Sequence, residues 1–185
     1  MRVIGGKAKG HRLKSPDGVN VRPTTDRVKE AVFNSIQRYT TDAIVLDLFA
    51  GAGTLGIEAL SRYAQKAYFV DISTKQIDLI RENLVKTRLL DDAVLKCSDI
   101  NEAIDIFSNQ GMTFDLIFMD PPYDKGFIQD TLERLSHSKL LTAEGLIIVE
   151  YSLKEVPPLE VGSLQRTSLK KYGSTGVAYF KRREE

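Results

Sequence analysis

Cysteine and histidine are scarce in this chain of 185 residues, which has one Cys and two His. A single cysteine excludes an internal disulfide and argues against a cysteine-based metal site. Neither His11 nor His137 has a metal-binding partner nearby in the sequence, so we expect no metal centre. No apolar run approaches the roughly 20 residues of a membrane helix, and the opening MRVIGG lacks the apolar core of a signal peptide. We therefore expect a cytoplasmic protein that does not bind membranes.

The net charge of +1 conceals a basic N-terminal segment. Residues 1–29 contain eight Lys or Arg and two acidic residues, a charge of +6, which leaves −5 for the rest of the chain. A basic arm on a mildly acidic domain predicts binding to a polyanion, although a solvated surface segment has the same composition. Short alternating stretches in this arm are compatible with a small β-hairpin. The candidate contacts are Arg2, Lys7, Lys9, Arg12, Lys14, Arg22 and Arg27.

From residue 44 onward, short apolar runs alternate with stretches of helical periodicity. The runs that predict strands are 44–49, 67–71, 93–97, 114–120 and 145–150, and helices are predicted at 54–62, 75–88 and 127–135. A further helix is predicted to begin near Thr25 or Asp26. Strands that alternate with helices form parallel sheets with helices on both faces, so the pattern predicts a doubly wound α/β domain. The segments on either side of 173–175 have no room for a helix and predict an antiparallel pair.

The sequence GAGTLG at residues 51–56 follows the first predicted strand and matches the G-x-G-x-x-G pattern of nucleotide-binding loops. Its glycines and the following helix N-terminus suit a nucleotide cofactor without identifying it. Asp47 lies four residues before Gly51, where a carboxylate would repel a pyrophosphate but would attract a cationic amino group. S-adenosylmethionine carries an ammonium and a sulfonium and has no phosphate. The sequence therefore favours S-adenosylmethionine over NAD.

Two more aspartates follow the next strands in the chain. Asp71 is placed to accept hydrogen bonds from ribose hydroxyls, and Asp99 is placed to contact adenine, although each could also cap the helix that follows it. The complete set of predicted cofactor-binding residues is Asp47, Phe49, Gly51, Gly53, Asp71, Ile72, Asp99 and Ile100.

The most specific stretch is DPPY at residues 120–123, directly after a predicted buried strand. Pro121 and Pro122 have no N–H donors, so the Asp120 carboxylate and a neighbouring carbonyl form an acceptor site for an NH₂ group. Tyr123 adds a flat face on which a base can stack. Methyl transfer to a nucleobase amine depends mainly on such positioning. We predict that all four residues are catalytic, although an Asp-capped turn between a strand and a loop is the structural alternative.

With these motifs in view, the chain resembles the Rossmann-like S-adenosylmethionine-dependent methyltransferases, specifically the RsmD group that methylates guanine N2 in 16S rRNA. The resemblance covers RVIGGKAKGHRL, residues 22–34, LDLFAGAGTLGIEALSR, DPPY and KYGSTGVAYF. It implies a seven-stranded, mostly parallel sheet with an antiparallel last strand. It also implies a basic RNA-binding extension over residues 1–25, a methyltransferase domain over 26–185, and a partly assembled 30S subunit as substrate. We expect a monomer.

Three other functions remain open at the level of sequence. A DNA adenine methyltransferase would use the same DPPY chemistry, although 185 residues leave little room for a DNA-recognition domain. An NAD-dependent oxidoreductase matches the glycine pattern but not Asp47. A non-catalytic RNA-binding assembly factor would not need an intact DPPY motif.

Overall fold

The computed structural model describes residues 1–16, 24–123 and 125–183. Its strands are β1 (Ile44–Leu48), β2 (Lys66–Asp71), β3 (Ala93–Cys97), β4 (Phe114–Met119), β5 (Leu141–Ser152), β6 (Glu160–Val161), β7 (Leu164–Tyr172) and β8 (Thr175–Arg182). Its helices are α1 (Thr24–Ser35), α2 (Gln37–Thr40), α3 (Thr54–Ser61), α4 (Thr74–Thr87), α5 (Ile100–Asn109) and α6 (Phe127–His137), with a 3₁₀ turn at Leu90–Asp92. No helix in these ranges is long and apolar enough to cross a membrane.

The strands form one sheet in the order β3-β2-β1-β4-β5-β8-β7-β6. Strands β1 to β5 are parallel, and β8 inserts antiparallel between β5 and β7. The predicted doubly wound α/β class and the antiparallel last strand are confirmed. The prediction of seven strands is wrong by one, because Glu160–Val161 pairs with the start of β7 as an eighth strand. A strand of two residues is too short to leave a periodic signal in the sequence.

Two apolar clusters bury the two faces of the sheet. One lies under α1, α3 and α4, and the other under α5 and α6. The apolar residues Ile77, Ile80 and Leu84 of α4 recur at helical spacing and are all buried. In α6, by contrast, Phe127 is 41% exposed, because the first turn of this helix faces a cavity instead of the core.

The N-terminal segment packs against α3 through a buried carboxylate. The Glu58 side chain is fully buried and accepts hydrogen bonds from the N–H groups of Ile4 and Gly5, both at 2.9 Å. It also pairs with Lys29 at 3.3 Å and with Arg62 at 2.8 Å. Lys29 therefore contributes to the basic count of the arm but is itself buried, and this desolvation lowers its pKa. The small β-hairpin considered for this segment takes the form of one antiparallel bridge, between Arg2 and Arg12.

Gly6 permits the closest approach between this segment and α3. It has φ +75°, and a Cβ placed there would lie 1.8 Å from the carbonyl oxygen of Ser61. The neighbouring N–H of Lys7 donates to that same oxygen at 2.8 Å. Only glycine fits both the conformation and the space.

We expect Gly6→Ala to lower the free energy of unfolding by about 3 kcal/mol, because left-handed strain and a backbone clash combine. Gly10→Ala is the matched control, since Gly10 has φ +89° but nothing within 4 Å of a Cβ. It should lose only about 1 kcal/mol, the cost of the strain alone. Urea denaturation of both variants measures the difference. Equal losses would show that the contact with Ser61 contributes nothing.

Candidate active site

A cavity of about 750 Å³ lies at the carboxyl ends of the parallel strands. This size suits a nucleotide-like ligand, and the edge of the sheet is the usual ligand site of doubly wound folds. Ten of the predicted catalytic and cofactor-binding residues line the cavity, namely Phe49, Gly51, Asp71, Ile72, Asp99, Ile100, Asp120, Pro121, Pro122 and Tyr123. Asp47 and Gly53 are not among the lining residues.

The Asp71 side chain fixes the start of the glycine loop through hydrogen bonds to backbone N–H groups. One carboxylate oxygen of Asp71 accepts from the N–H of Gly51 at 3.0 Å, and the other accepts from the N–H of Ser73 at 2.9 Å. Asp71 thus links the loop after β1 to the start of α4 while lining the cavity. Gly53, with φ +76°, is the N-cap residue directly before α3.

Asp47 lies beneath the loop instead of in the cavity. Its side chain is 2% exposed, and one carboxylate oxygen accepts from the N–H of Gly56 at 2.9 Å. Burial raises the pKa of Asp47 to about 8, the nearby negative charge of Asp71 adds to this rise, and the bond from Gly56 opposes it. In this structure Asp47 supports the first turn of α3 directly.

Asp99 caps a helix and lines the cavity at once. Its carboxylate accepts from the N–H groups of Asn101, at 2.9 Å, and Glu102, at 3.4 Å, so it is the N-cap of α5. Ile100 begins the helix beside it, and Ile72 is 71% exposed at the cavity wall. These two side chains give the cavity apolar surfaces on which a flat ring can lie.

The DPPY residues form the opposite wall. Asp120 is exposed at the cavity surface, and desolvation by the protein packed around it raises the pKa of its carboxyl group. The negative charges of Glu150 and Asp47 act in the same direction. Tyr123 donates its hydroxyl hydrogen to Glu150 Oε1 at 3.2 Å, and burial, together with that carboxylate, raises the pKa of Tyr123. Asp120 therefore offers a carboxyl group at the cavity surface, next to the two prolines.

Four lining residues were missed by the sequence analysis: Asn101, Phe127, Asp130 and Thr131. The rings of Phe127 and Phe49 contact each other, with centroids 5.7 Å apart and planes at 53°. Their position in the chain could have indicated Phe127, Asp130 and Thr131. The helix α6 begins four residues after Tyr123, so its first turn must lie near the DPPY motif.

The cavity is acidic. Asp71, Asp99, Asp120 and Asp130 line it, and no described lining residue is Lys, Arg or His. A pyrophosphate would meet four carboxylates with no described cation to balance it, whereas a cationic ligand would be attracted. Within the described ranges, no group of three or more His, Cys, Asp or Glu is arranged to hold a metal ion.

The predicted RNA contacts divide into paired and unpaired cations. Arg2 lies 3.9 Å from Asp26, Lys7 lies 3.5 Å from Asp92, and Lys14 lies 2.5 Å from Glu82. Within residues 1–16, 24–123 and 125–183, no ion pair involves Lys9, Arg12 or Arg27. Arg22 lies outside the described residues.

The raised pKa of Asp47 predicts a specific dependence of stability on pH. The group ionises near 3.8 when unfolded and near 8 when folded, so between these values the folded chain holds the extra proton. Its contribution is complete below pH 4 and is lost as the pH rises to 8, by at most about 1.4 kcal/mol per pH unit. Asp47→Asn keeps an acceptor for Gly56 and cannot ionise, so its free energy of unfolding should fall less over this window.

Urea denaturation across this pH range measures both proteins, and Asp91→Asn serves as the control because Asp91 is an exposed carboxylate. The control should keep the wild-type slope. An Asp47→Asn slope equal to that of the wild type would mean that Asp47 is already ionised in the folded protein.

Comparisons with known proteins agree with this geometry. The family model described as Conserved hypothetical protein 95 matches residues 1–181. YlbH of Bacillus subtilis is 40% identical over 183 residues, covering 99% of this chain and 100% of YlbH. Ribosomal RNA small subunit methyltransferase D of Escherichia coli K12 is 35% identical over 158 residues, covering 85% of this chain and 78% of that protein.

The solved structure of yhhF from Escherichia coli has a TM-score of 0.85 and 30% identity, and the match covers 100% of this chain and 99% of that one. The fold, the family match and these relatives all indicate the same family. The chain belongs to the Conserved hypothetical protein 95 family, which is the RsmD family of Rossmann-like methyltransferases.

Proposed function

We propose that the protein transfers a methyl group from S-adenosylmethionine to the exocyclic N2 amine of one guanine in 16S rRNA. The substrate would be a partly assembled 30S subunit in the cytoplasm, and the enzyme would act as a monomer. The observation that carries the proposal is Asp120, held with Pro121, Pro122 and Tyr123 in the wall of an acidic cavity. The Escherichia coli relative, whose name specifies small-subunit ribosomal RNA, supports the choice of substrate.

The acidic cavity fits S-adenosylmethionine better than it fits a dinucleotide. Asp71 would accept hydrogen bonds from the ribose hydroxyls, Ile72 and Ile100 would contact the faces of the adenine, and Asp99 would contact its polar edge; all four residues line the cavity. Phe49 and Gly51 would lie against the methionine part. We assign Asp47 a supporting role, because it lies beneath the glycine loop and accepts a hydrogen bond from the N–H of Gly56. When bound, this cofactor would supply a methyl group activated by a positively charged sulfonium, with the neutral thioether as the leaving group.

Asp120 would orient the amine of the guanine for attack on that methyl group. Its carboxylate and a neighbouring carbonyl accept the two N–H hydrogens, because the two prolines leave no competing donor. This contact would leave the amine lone pair free to face the methyl donor, whose chemistry would be to pass its methyl group from sulfur to nitrogen, and the methylated amine would release its proton afterwards. Tyr123, fixed by Glu150, offers a ring against which an unstacked base can rest.

The basic arm would hold the RNA near this cavity. Lys9 and Arg12 are exposed, so their charges are available to phosphate groups. The arm rests on α3, whose N-terminus forms the glycine loop. RNA bound to residues 1–14 would therefore be positioned relative to the cofactor by one helix.

The test is methyl transfer from labelled S-adenosylmethionine to 30S particles and 16S rRNA from cells that lack this protein. Mass spectrometry should locate one new N2-methylguanine. Asp120→Ala should reduce kcat by about 10³-fold or more, because the amine loses its acceptor. Its affinity for S-adenosylmethionine, measured by calorimetry, should change by less than about threefold. The exposed control Asp91→Ala should match the wild type.

Three results would contradict the proposal in different ways. Methylation of duplex DNA but not of ribosomal particles would move the substrate to DNA adenine. Binding of NAD without binding of S-adenosylmethionine would overturn the cofactor. Equal loss of cofactor binding and turnover in Asp120→Ala would overturn the role assigned to Asp120.

A further inference from the structure

The C-terminal hairpin is basic although the chain beyond residue 29 is acidic as a whole. Residues 161–183 include no Asp or Glu, and their basic residues are Arg166, Lys170, Lys171, Lys181, Arg182 and Arg183. Three of these side chains make hydrogen bonds or an ion pair within the protein. Arg166 donates to the carbonyl of Pro157, Arg182 donates to the carbonyls of Ser138 and Leu141, and Arg183 pairs with Glu160.

The other three lysines have no ion pair within the described part of the chain. Strand register separates them between the faces of the sheet. Lys170 pairs with Val177 and lies on the face of Val177 and Tyr179, together with Tyr172, whereas Lys171 lies on the other face. Lys181 continues the same face towards α2, because side chains two residues apart in a strand share a face.

These residues share one face, and we call them the tyrosine–lysine stripe: Tyr172, Lys170, Tyr179, Lys181, Tyr39 and Arg38. The Tyr179 ring is buried beneath Lys170, so the rings that solvent can reach are those of Tyr172 and Tyr39. Lys170 Nζ lies 5.3 Å from the centre of the Tyr179 ring, and Lys181 Nζ lies 5.3 Å from that of Tyr39. The Arg38 guanidinium lies 4.8 Å from the centre of the Tyr39 ring and also donates to the Tyr39 hydroxyl at 2.7 Å. The rings hold the cations in place without neutralising them.

One end of the stripe lies beside the DPPY motif. Tyr172 pairs with Thr175 across the turn at residues 173–174. Thr175 in turn pairs with the last residue of β5, and its side chain lies near the Tyr123 hydroxyl. The catalytic wall and the start of the stripe are therefore adjacent, with Thr175 between them.

We propose that the tyrosine–lysine stripe binds a single-stranded or looped segment of the RNA substrate adjacent to the target guanine; this rests on the proposed function. Fixed cations beside aromatic rings are the combination that holds unpaired nucleotides, since the cations meet phosphates and a ring can stack on a base. A protein partner with an acidic surface could also pair with the cations. It would not explain the half-buried Tyr172 ring, which suits stacking on an unpaired base.

The test compares three paired variants of the full-length protein, using the 16S rRNA and 30S particles described above. Lys170→Gln with Lys181→Gln removes two stripe charges. Lys170→Arg with Lys181→Arg keeps them. Lys66→Gln with Lys139→Gln is the matched control, because Lys66 also stacks over a tyrosine, at 6.0 Å from the Tyr68 ring, but lies at the start of β2. Each protein is assayed for RNA affinity against salt concentration, for kcat and KM, and for cofactor affinity.

We expect the glutamine pair to weaken RNA binding about tenfold and to reduce the slope of log affinity against log salt by about 1.4, since each of the two phosphate contacts on a single strand contributes about 0.7. KM for RNA should rise while kcat and cofactor affinity stay at wild-type values. The arginine pair and the control pair should match the wild type. Tyr172→Leu should weaken binding about tenfold with an unchanged salt slope, because it removes stacking and no charge.

Two outcomes would overturn the inference while the proposed function stands. In the first, the wild type methylates rRNA and the glutamine pair equals it in KM and salt slope. In the second, the glutamine pair binds naked 16S rRNA normally but loses affinity for the 30S particle, which would assign the stripe to a ribosomal protein. Failure of the wild type to methylate rRNA at all is a different result and would refute the proposed function.

Discussion

The Glu58 carboxylate is the contact on which the arrangement of the other parts depends. It is fully buried in α3, yet it holds two backbone N–H groups of the N-terminal segment, the ammonium of Lys29 in α1 and the guanidinium of Arg62. A buried carboxylate is stable only when it is paired and hydrogen-bonded in this way, and the removal of one partner of such a group costs roughly 3 to 5 kcal/mol. These contacts fix the N-terminal segment against α3.

A second buried polar residue connects the same segment to the glycine loop. Asn83 in α4 accepts from the N–H of Lys14 at 2.7 Å and donates to the carbonyls of Lys14 and Ala52, both at 3.0 Å. Ala52 lies between Gly51 and Gly53, so one amide side chain joins the basic arm to the cofactor loop. A displacement of either one would break hydrogen bonds made by the other.

The charges of the protein are sorted by place. Carboxylates line the cavity, while unpaired cations stand on the arm and, within the described residues, on the hairpin of β7 and β8. Such a separation suits an enzyme whose cofactor is cationic and whose second substrate is a polyanion, since each is attracted to its own surface. It also explains why the total charge of +1 is uninformative.

The sequence by itself determined the α/β class, the strand ends that form the site and the DPPY wall, because apolar periodicity and proline chemistry act locally. Tertiary structure alone decided that Asp47 lies under the loop, that Phe127 faces the cavity and that Lys29 is buried. It also decided that Lys170 and Lys181 share a face. Each of these facts depends on contacts between residues distant in the chain, or on which side of an element meets the core, and no local pattern encodes either.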